Sequence, residues 1–271
     1  MDINVSEWLN LLVRWFHIIA GITWIGQTYL FNWMERRLTP ATGPGRDNVM
    51  GQLWMVHGGG FYLVEKQREP ELMPRTLYWF KWESALTWIS GFLLLVIVYW
   101  TGGVLVDLQS GISETAGIAI SVSVLVAGWV GYNMVWRSPL GRNEIVGAAV
   151  SWLLVVGLVQ LLNGRLSSRA AYLHVGAMFG TIMAANVWLR ILPAQRQMLA
   201  ATKAGDAVDM TLAARARQCS KHNTYLSVPL IAIMISNHFP TATYGSHDSA
   251  LVLGGLTLVG WGAAKVMRDV L

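Results

Sequence analysis

Long charge-free stretches alternate along the chain with short charged ones. Seven stretches carry no Asp, Glu, Lys or Arg: 15–34, 84–106, 115–136, 145–164, 170–189, 222–247 and 249–264. The hydrocarbon core of a bilayer is about 30 Å thick and a helix rises about 1.5 Å per residue, so about 20 apolar residues cross it. Each stretch is rich in Leu, Val, Ile, Gly and Trp and reads as a membrane-spanning helix; the last is the shortest. The pattern predicts an all-α, polytopic transmembrane helix bundle of about seven helices, one integral membrane domain over residues 1–271.

The charges between the stretches fix a topology. Arg36, Arg37, Arg46, Lys66, Arg68, Arg75 and Lys81 follow the first stretch, Arg137 and Arg142 the third, and Arg190, Arg196, Lys203, Arg215, Arg217 and Lys221 the fifth; Lys265 and Arg268 end the chain. The intervening segments hold only Arg165 and Arg169. Lys and Arg concentrate on the cytoplasmic side, which puts the N-terminus outside and the C-terminus inside an inner membrane. Two cytoplasmic insertions are long. Residues 194–218 have the Gln, Ala, Lys and Arg spacing of a helical extension. Residues 38–77 are irregular, except that 51–66 reads as two short strands about the triple glycine Gly58, Gly59 and Gly60, a structured loop with a short β-hairpin.

Composition agrees. Charged residues make up 13% of the chain, too few for the surface of a soluble domain of this length. The net charge of +5 sits in alternate loops and so does not point to nucleic acid. The leader is acidic and the first apolar stretch too long for a secretory signal. The single cysteine, Cys219, excludes an internal disulfide framework and a CxxCH haem attachment.

Polar groups at membrane depth are costly and usually face a partner, a cavity or a cofactor. His17 in the first helix and His174 in the fifth fall at matched depth in the outer half. Neutral imidazole ligates haem iron well, and two on different helices would clamp one haem b from both faces. Arg14, one turn before His17, would meet a propionate. Small residues beside His174, Gly176 and Gly180, allow a macrocycle or a helix to approach. His238 and His222, at opposite ends of the sixth helix, are further candidate ligands. The alternative is that these imidazoles only hydrogen-bond between helices. The end-of-helix tryptophans Trp8, Trp33, Trp79, Trp100, Trp136 and Trp188 read mostly as an interfacial belt.

A second constellation lies on the cytoplasmic side: Trp54, His57, Phe61 and Tyr62 around the triple glycine, then Trp79, Lys81, Trp82 and Glu83. Aromatic faces would stack on a flat heterocycle, Lys81 would hold an anion, and Glu83 or His57 would act as a base. The alternative is a loop capping the bundle, with Lys81 and Glu83 as an ion pair. Asn186, Arg190, Lys221, His222 and Asn223 come near the same face, where His57 and His222 together are a candidate ligand pair for a second haem.

Several motifs are similar to the membrane domain of bacterial membrane-bound urate oxidase (urate hydroxylase): Leu53-Trp-Met-Val-His-Gly-Gly-Gly-Phe-Tyr62, Trp79-Phe-Lys-Trp-Glu83, Arg137-Ser-Pro-Leu140, the run from His174 to Asn186, Lys221-His-Asn-Thr-Tyr225 and Ser236-Asn-His-Phe-Pro240. The resemblance covers nearly the whole chain. It implies oxidation of urate to 5-hydroxyisourate in purine breakdown, with electrons passed to cytochrome c. Full-length members carry a further helix and a C-terminal cytochrome c domain; this sequence ends at Leu271 without them, so cytochrome c is expected as a missing fused domain or a separate partner. With water as the oxygen source, the expected site has His57 and Glu83 as bases and Trp54, Phe61, Tyr62, Lys81, Asn186 and Arg190 around urate. Electrons would leave through haem b, one or two per chain. Two other readings stay open: a b-type electron-transfer subunit without its own substrate site, and a urate or purine transporter, against which the absence of paired broken helices argues.

Overall fold

In the computed structural model, which describes residues 4–41, 46–68 and 76–270, the chain is a bundle of helices with one hairpin. Arg75, counted above among the topology charges, lies outside the described residues. The helices are α1 (Val5–Arg37), α2 (Trp82–Leu95), α3 (Glu114–Arg137), α4 (Glu144–Leu162), α5 (Ser168–Asn186), α6 (Leu192–Ala204), α7 (Met210–Ile235) and α8 (Ser249–Val270). One wider π-helical turn extends α2 to Trp100, and another joins α5 to α6 without a break. Side chains start the helices: Asn4, Ser113, Asn143, Ser167 and Asp209 each accept a backbone N–H of the first turn. Gly205, at φ 75°, ends α6.

Among the described residues, six helical spans are long and apolar enough to cross a membrane: α1, α2 with its π turn, α3, α4, the α5–α6 rod and α8. Their outward faces carry large apolar side chains, such as Trp15, Ile22, Leu153 and Val259, as lipid-facing surfaces do. This supports a multi-pass membrane protein. The stretch expected as a further crossing, 222–247, begins on α7, which is not among these six and is more polar, with a cluster of polar residues in its middle turned inward. His222, Asn223, Thr224 and Ser227 are buried. Asn32 donates to Thr224 (3.2 Å), Tyr29 and Ser227 hydroxyls lie 3.3 Å apart, and Asn223 donates to the Met183 carbonyl (3.0 Å).

Cross-links sort the helix ends into two groups. At the basic end, Arg36 donates to the Asp269 carbonyl (2.8 Å), Lys221 pairs with Glu144 (2.6 Å) and Trp188 donates to Ser84 (3.2 Å). At the opposite end, Arg169 donates to Asn237 (2.7 Å), Asn163 to Ser249 (3.1 Å) and Ser167 to the Val104 carbonyl (2.7 Å). α5 is the axis. Most of its residues are buried, and it touches α2, α3, α4 and α7.

The hairpin forms as expected. β1 (Val49–His57) pairs antiparallel with β2 (Gly60–Gln67) about Gly58 and Gly59, whose φ values of 58° and 80° suit a two-residue turn that only glycine adopts cheaply. It does not cap the bundle with its tip. Its base is tied down by the Lys66–Glu35 and Arg46–Glu65 ion pairs and by Thr39–Gln52 backbone bonds, while Trp54 and Phe61 are 63% and 78% exposed. The helical extension at 194–218 is α6 with the start of α7.

Candidate functional site

A cavity of about 640 Å³ opens between α1, α2, α5 and α7. His17, from mid-α1, and His238, just past α7, both line it, together with Arg14 and Arg169. Sequence periodicity sets Arg14 one turn above His17. The start of α5 brings Arg169 to the same end, where Asn237 accepts from its Nε. Arg14 donates to Asn10 at 3.0 Å, and Arg169 stands 6.0 Å over the Tyr99 ring. Both guanidinium groups thus meet only neutral protein partners, among the described residues.

The His17 ring is held from one side. Its Nδ1 lies 3.0 Å from the Thr87 carbonyl and 3.0 Å from the Ser90 hydroxyl. A carbonyl only accepts, so Nδ1 carries the proton and Nε2 keeps its lone pair. Gly91 is the seat for the ring: a Cβ there would lie 2.9 Å from His17 Cε1. The His238 side chain makes no hydrogen bond among the described residues.

His174, expected to pair with His17, is placed differently. His174 is fully buried, with Nε2 2.7 Å from the Ser121 hydroxyl and Nδ1 2.7 Å from the Ala170 carbonyl. Both nitrogens are engaged, and the ring faces α3 and Tyr99 and does not line the cavity. Depth along a helix is readable from sequence; the direction of a side chain around it is not.

At the basic end two polar groups form. In the first, Lys81 Nζ stands 5.3 Å over Trp82 and 6.0 Å over Trp188, whose rings meet edge to face. Glu83 accepts from Gln27 (3.2 Å), and its other carboxylate oxygen is buried without a partner. The expected Lys81–Glu83 ion pair is therefore not formed. Glu83 is one turn from Thr87, which lines the His17 cavity and whose hydroxyl donates to the Glu83 carbonyl (2.7 Å). In the second, Asn186 donates to Asn223 (2.9 Å) and Tyr132 (3.2 Å), and the Tyr132 hydroxyl is 2.8 Å from His222 Nδ1. Arg190 donates to Asn133 and stacks 5.6 Å over Trp129.

The expected single constellation is thus divided. Lys81 and Glu83 share one group, Asn186 and Arg190 another. His57, Trp54, Phe61 and Tyr62 sit on the exposed hairpin tip and make no side-chain hydrogen bond or ring contact among the described residues. That separates His57 from His222 as a ligand pair. Reading the sequence missed Arg169, Asn237, Thr87 and Ser90. Arg169 carried a signal, as one of only two basic residues that break the charge alternation.

The fold and this cavity define a multi-helix membrane protein with a two-imidazole, two-arginine chamber. The chain belongs to the urate oxidase N-terminal family, whose profile matches residues 3–268, and membership connects it with urate oxidation and oxidoreductase chemistry. No curated protein and no solved structure matches it.

The cavity suits a porphyrin. Gly21 and Gly180 keep their stretches of wall low beside a flat ring, one imidazole offers a lone pair, and two cations lie at one end for carboxylates. Among the described residues no three His, Cys, Asp or Glu side chains come close enough to hold a bare metal ion.

Proposed function

We propose that the chain oxidises urate to 5-hydroxyisourate at the basic end of the bundle, with a haem b in the α1–α2–α5–α7 cavity held by His17 and His238 and its propionates by Arg14 and Arg169. The observation that carries this reading is the His17 imidazole, whose Nδ1 is committed to Thr87 and whose Nε2 is free in a cavity. Bound haem supplies a one-electron acceptor and donor.

Urate is flat and anionic near neutral pH. Lys81 attracts it, and the Trp82 and Trp188 rings offer stacking faces. Urate plus water gives 5-hydroxyisourate, two protons and two electrons. Glu83 takes the proton from the attacking water, its free carboxylate oxygen being buried and its partner oxygen steadied by Gln27. The basic end is the cytoplasmic side of a bacterial inner membrane by its charge. Electrons leave at the opposite end, where Arg14, Arg169 and His238 lie, to a cytochrome c.

Anaerobic urate added to the purified chain tests this. The expected result is a reduced haem spectrum that develops with urate concentration. A haem that dithionite reduces and urate never does would remove the enzyme and leave an electron-carrying subunit.

A further inference from the structure

A second cavity, of about 800 Å³, lies across α5 from the first. Its walls are apolar, from residues such as Val124, Val155, Leu158, Phe179, Ile182 and Leu258, and its polar groups gather at the basic end: His222, Tyr132, Glu144, Lys221 and Lys265. Those polar groups identify the ligand. The two lysines are already neutralised, Lys221 by Glu144 at 2.6 Å and Lys265 by Asp269 at 2.9 Å. Among the described residues that line the cavity no cation is left unpaired for a phosphate or a propionate; Arg268 stacks on Tyr225 at its edge. Two neutral groups are instead uncommitted. The Trp261 indole N–H is buried without an acceptor, which indoles rarely tolerate. The other is His222 Nε2.

The protonation of His222 follows from a chain of bonds. Asn223 donates to the Met183 carbonyl, which fixes its oxygen as the acceptor for Asn186. Asn186 therefore donates to the Tyr132 oxygen as well, and the Tyr132 proton is left for His222 Nδ1 or for the Cys219 sulfur beside it. With the Tyr132 proton on Nδ1, His222 carries its own on Nε2, a second donor.

We infer that this cavity binds a membrane quinone: a neutral dicarbonyl ring accepting from His222 and Trp261, with its isoprenoid tail along the apolar walls. Quinone to quinol takes two electrons and two protons, so a quinone here would be an alternative acceptor, in place of cytochrome c, for those released from urate and water. That redox use rests on the function proposed above; binding does not.

Calorimetric titration of the purified chain in detergent with decylubiquinone tests it. The expected result is saturable binding that weakens about tenfold in Trp261→Phe, which keeps the ring and loses the donor. In Gly131→Leu, whose side chain grows into open space within the cavity, binding is expected to be lost. Circular dichroism and elution volume check that both variants fold. Non-saturable partitioning, affinity unchanged in both folded variants, or a phosphatidylglycerol or second haem at this site that decylubiquinone does not displace would overturn the inference.

Discussion

On one face of α5, Arg14 and Arg169 have only neutral partners; on the other, Lys221 and Lys265 each sit on a carboxylate. The two cavities are similar in size and share α5 and α7 as walls, yet they are prepared for different guests. Cations left without counter-ions favour a ligand that brings its own carboxylates. Cations already paired leave neutral donors to select the ligand. The difference teaches that the sign of nearby charge says little until its partners are counted.

The contrast can be broken most severely at His17. His17→Ala is expected to abolish haem retention altogether, read as loss of the Soret band in protein that still elutes as folded. Next, Glu83→Gln should keep haem and slow its reduction by urate about a hundredfold or more, the scale of a lost general base, measured by anaerobic stopped flow. Gly91→Val sharpens the picture. Its side chain displaces the His17 ring, so partial haem loss and a shifted spectrum are expected with no change in the second cavity's ligand binding. His174→Ala should do the opposite of His17→Ala: haem stays, while removal of a fully buried, doubly bonded ring costs about 2–4 kcal/mol of stability, seen as a lower Tm.

The smallest effect is expected at Asp209, outside the spans. The Thr211 hydroxyl and amide hold its carboxyl below the usual carboxylate range. A lowered folded value means its stabilisation is fully present above the unfolded carboxylate range and is lost as pH falls through the lower, folded value. Asp209→Ala should lower Tm slightly at neutral pH and make no difference in strong acid, where the wild-type cap is protonated too.

Much of this architecture was legible. Charge-free stretches marked the spanning helices, and the triple glycine marked the hairpin turn, because hydrocarbon depth and positive φ act on local sequence. Some of the site was legible too: His17, Arg14 and His238 were all candidates. What local sequence does not carry is azimuth and partnership. His174 matches His17 in depth yet faces Ser121. Lys221 looks like a free cation until α4 brings Glu144 from 77 residues away. Trp136 and Trp188, expected in an interfacial belt, instead pack on His222 and donate to Ser84. α7 hides its polar face only because α1 and α5 supply matching hydroxyls, amides and carbonyls. The hairpin motif drew attention as a substrate site for its aromatics, but nothing in its sequence told that its tip would stand clear of Glu83.

The most direct measurement is a haem assay by pyridine haemochrome on the wild-type chain and the single His17→Ala, His238→Ala and His174→Ala variants, all expressed with ample haem supply. The expected result is stoichiometric haem b in the wild type and in His174→Ala, with loss in His17→Ala and His238→Ala. Haem kept without His17 and lost without His174, or a folded wild-type protein that contains none, would contradict it.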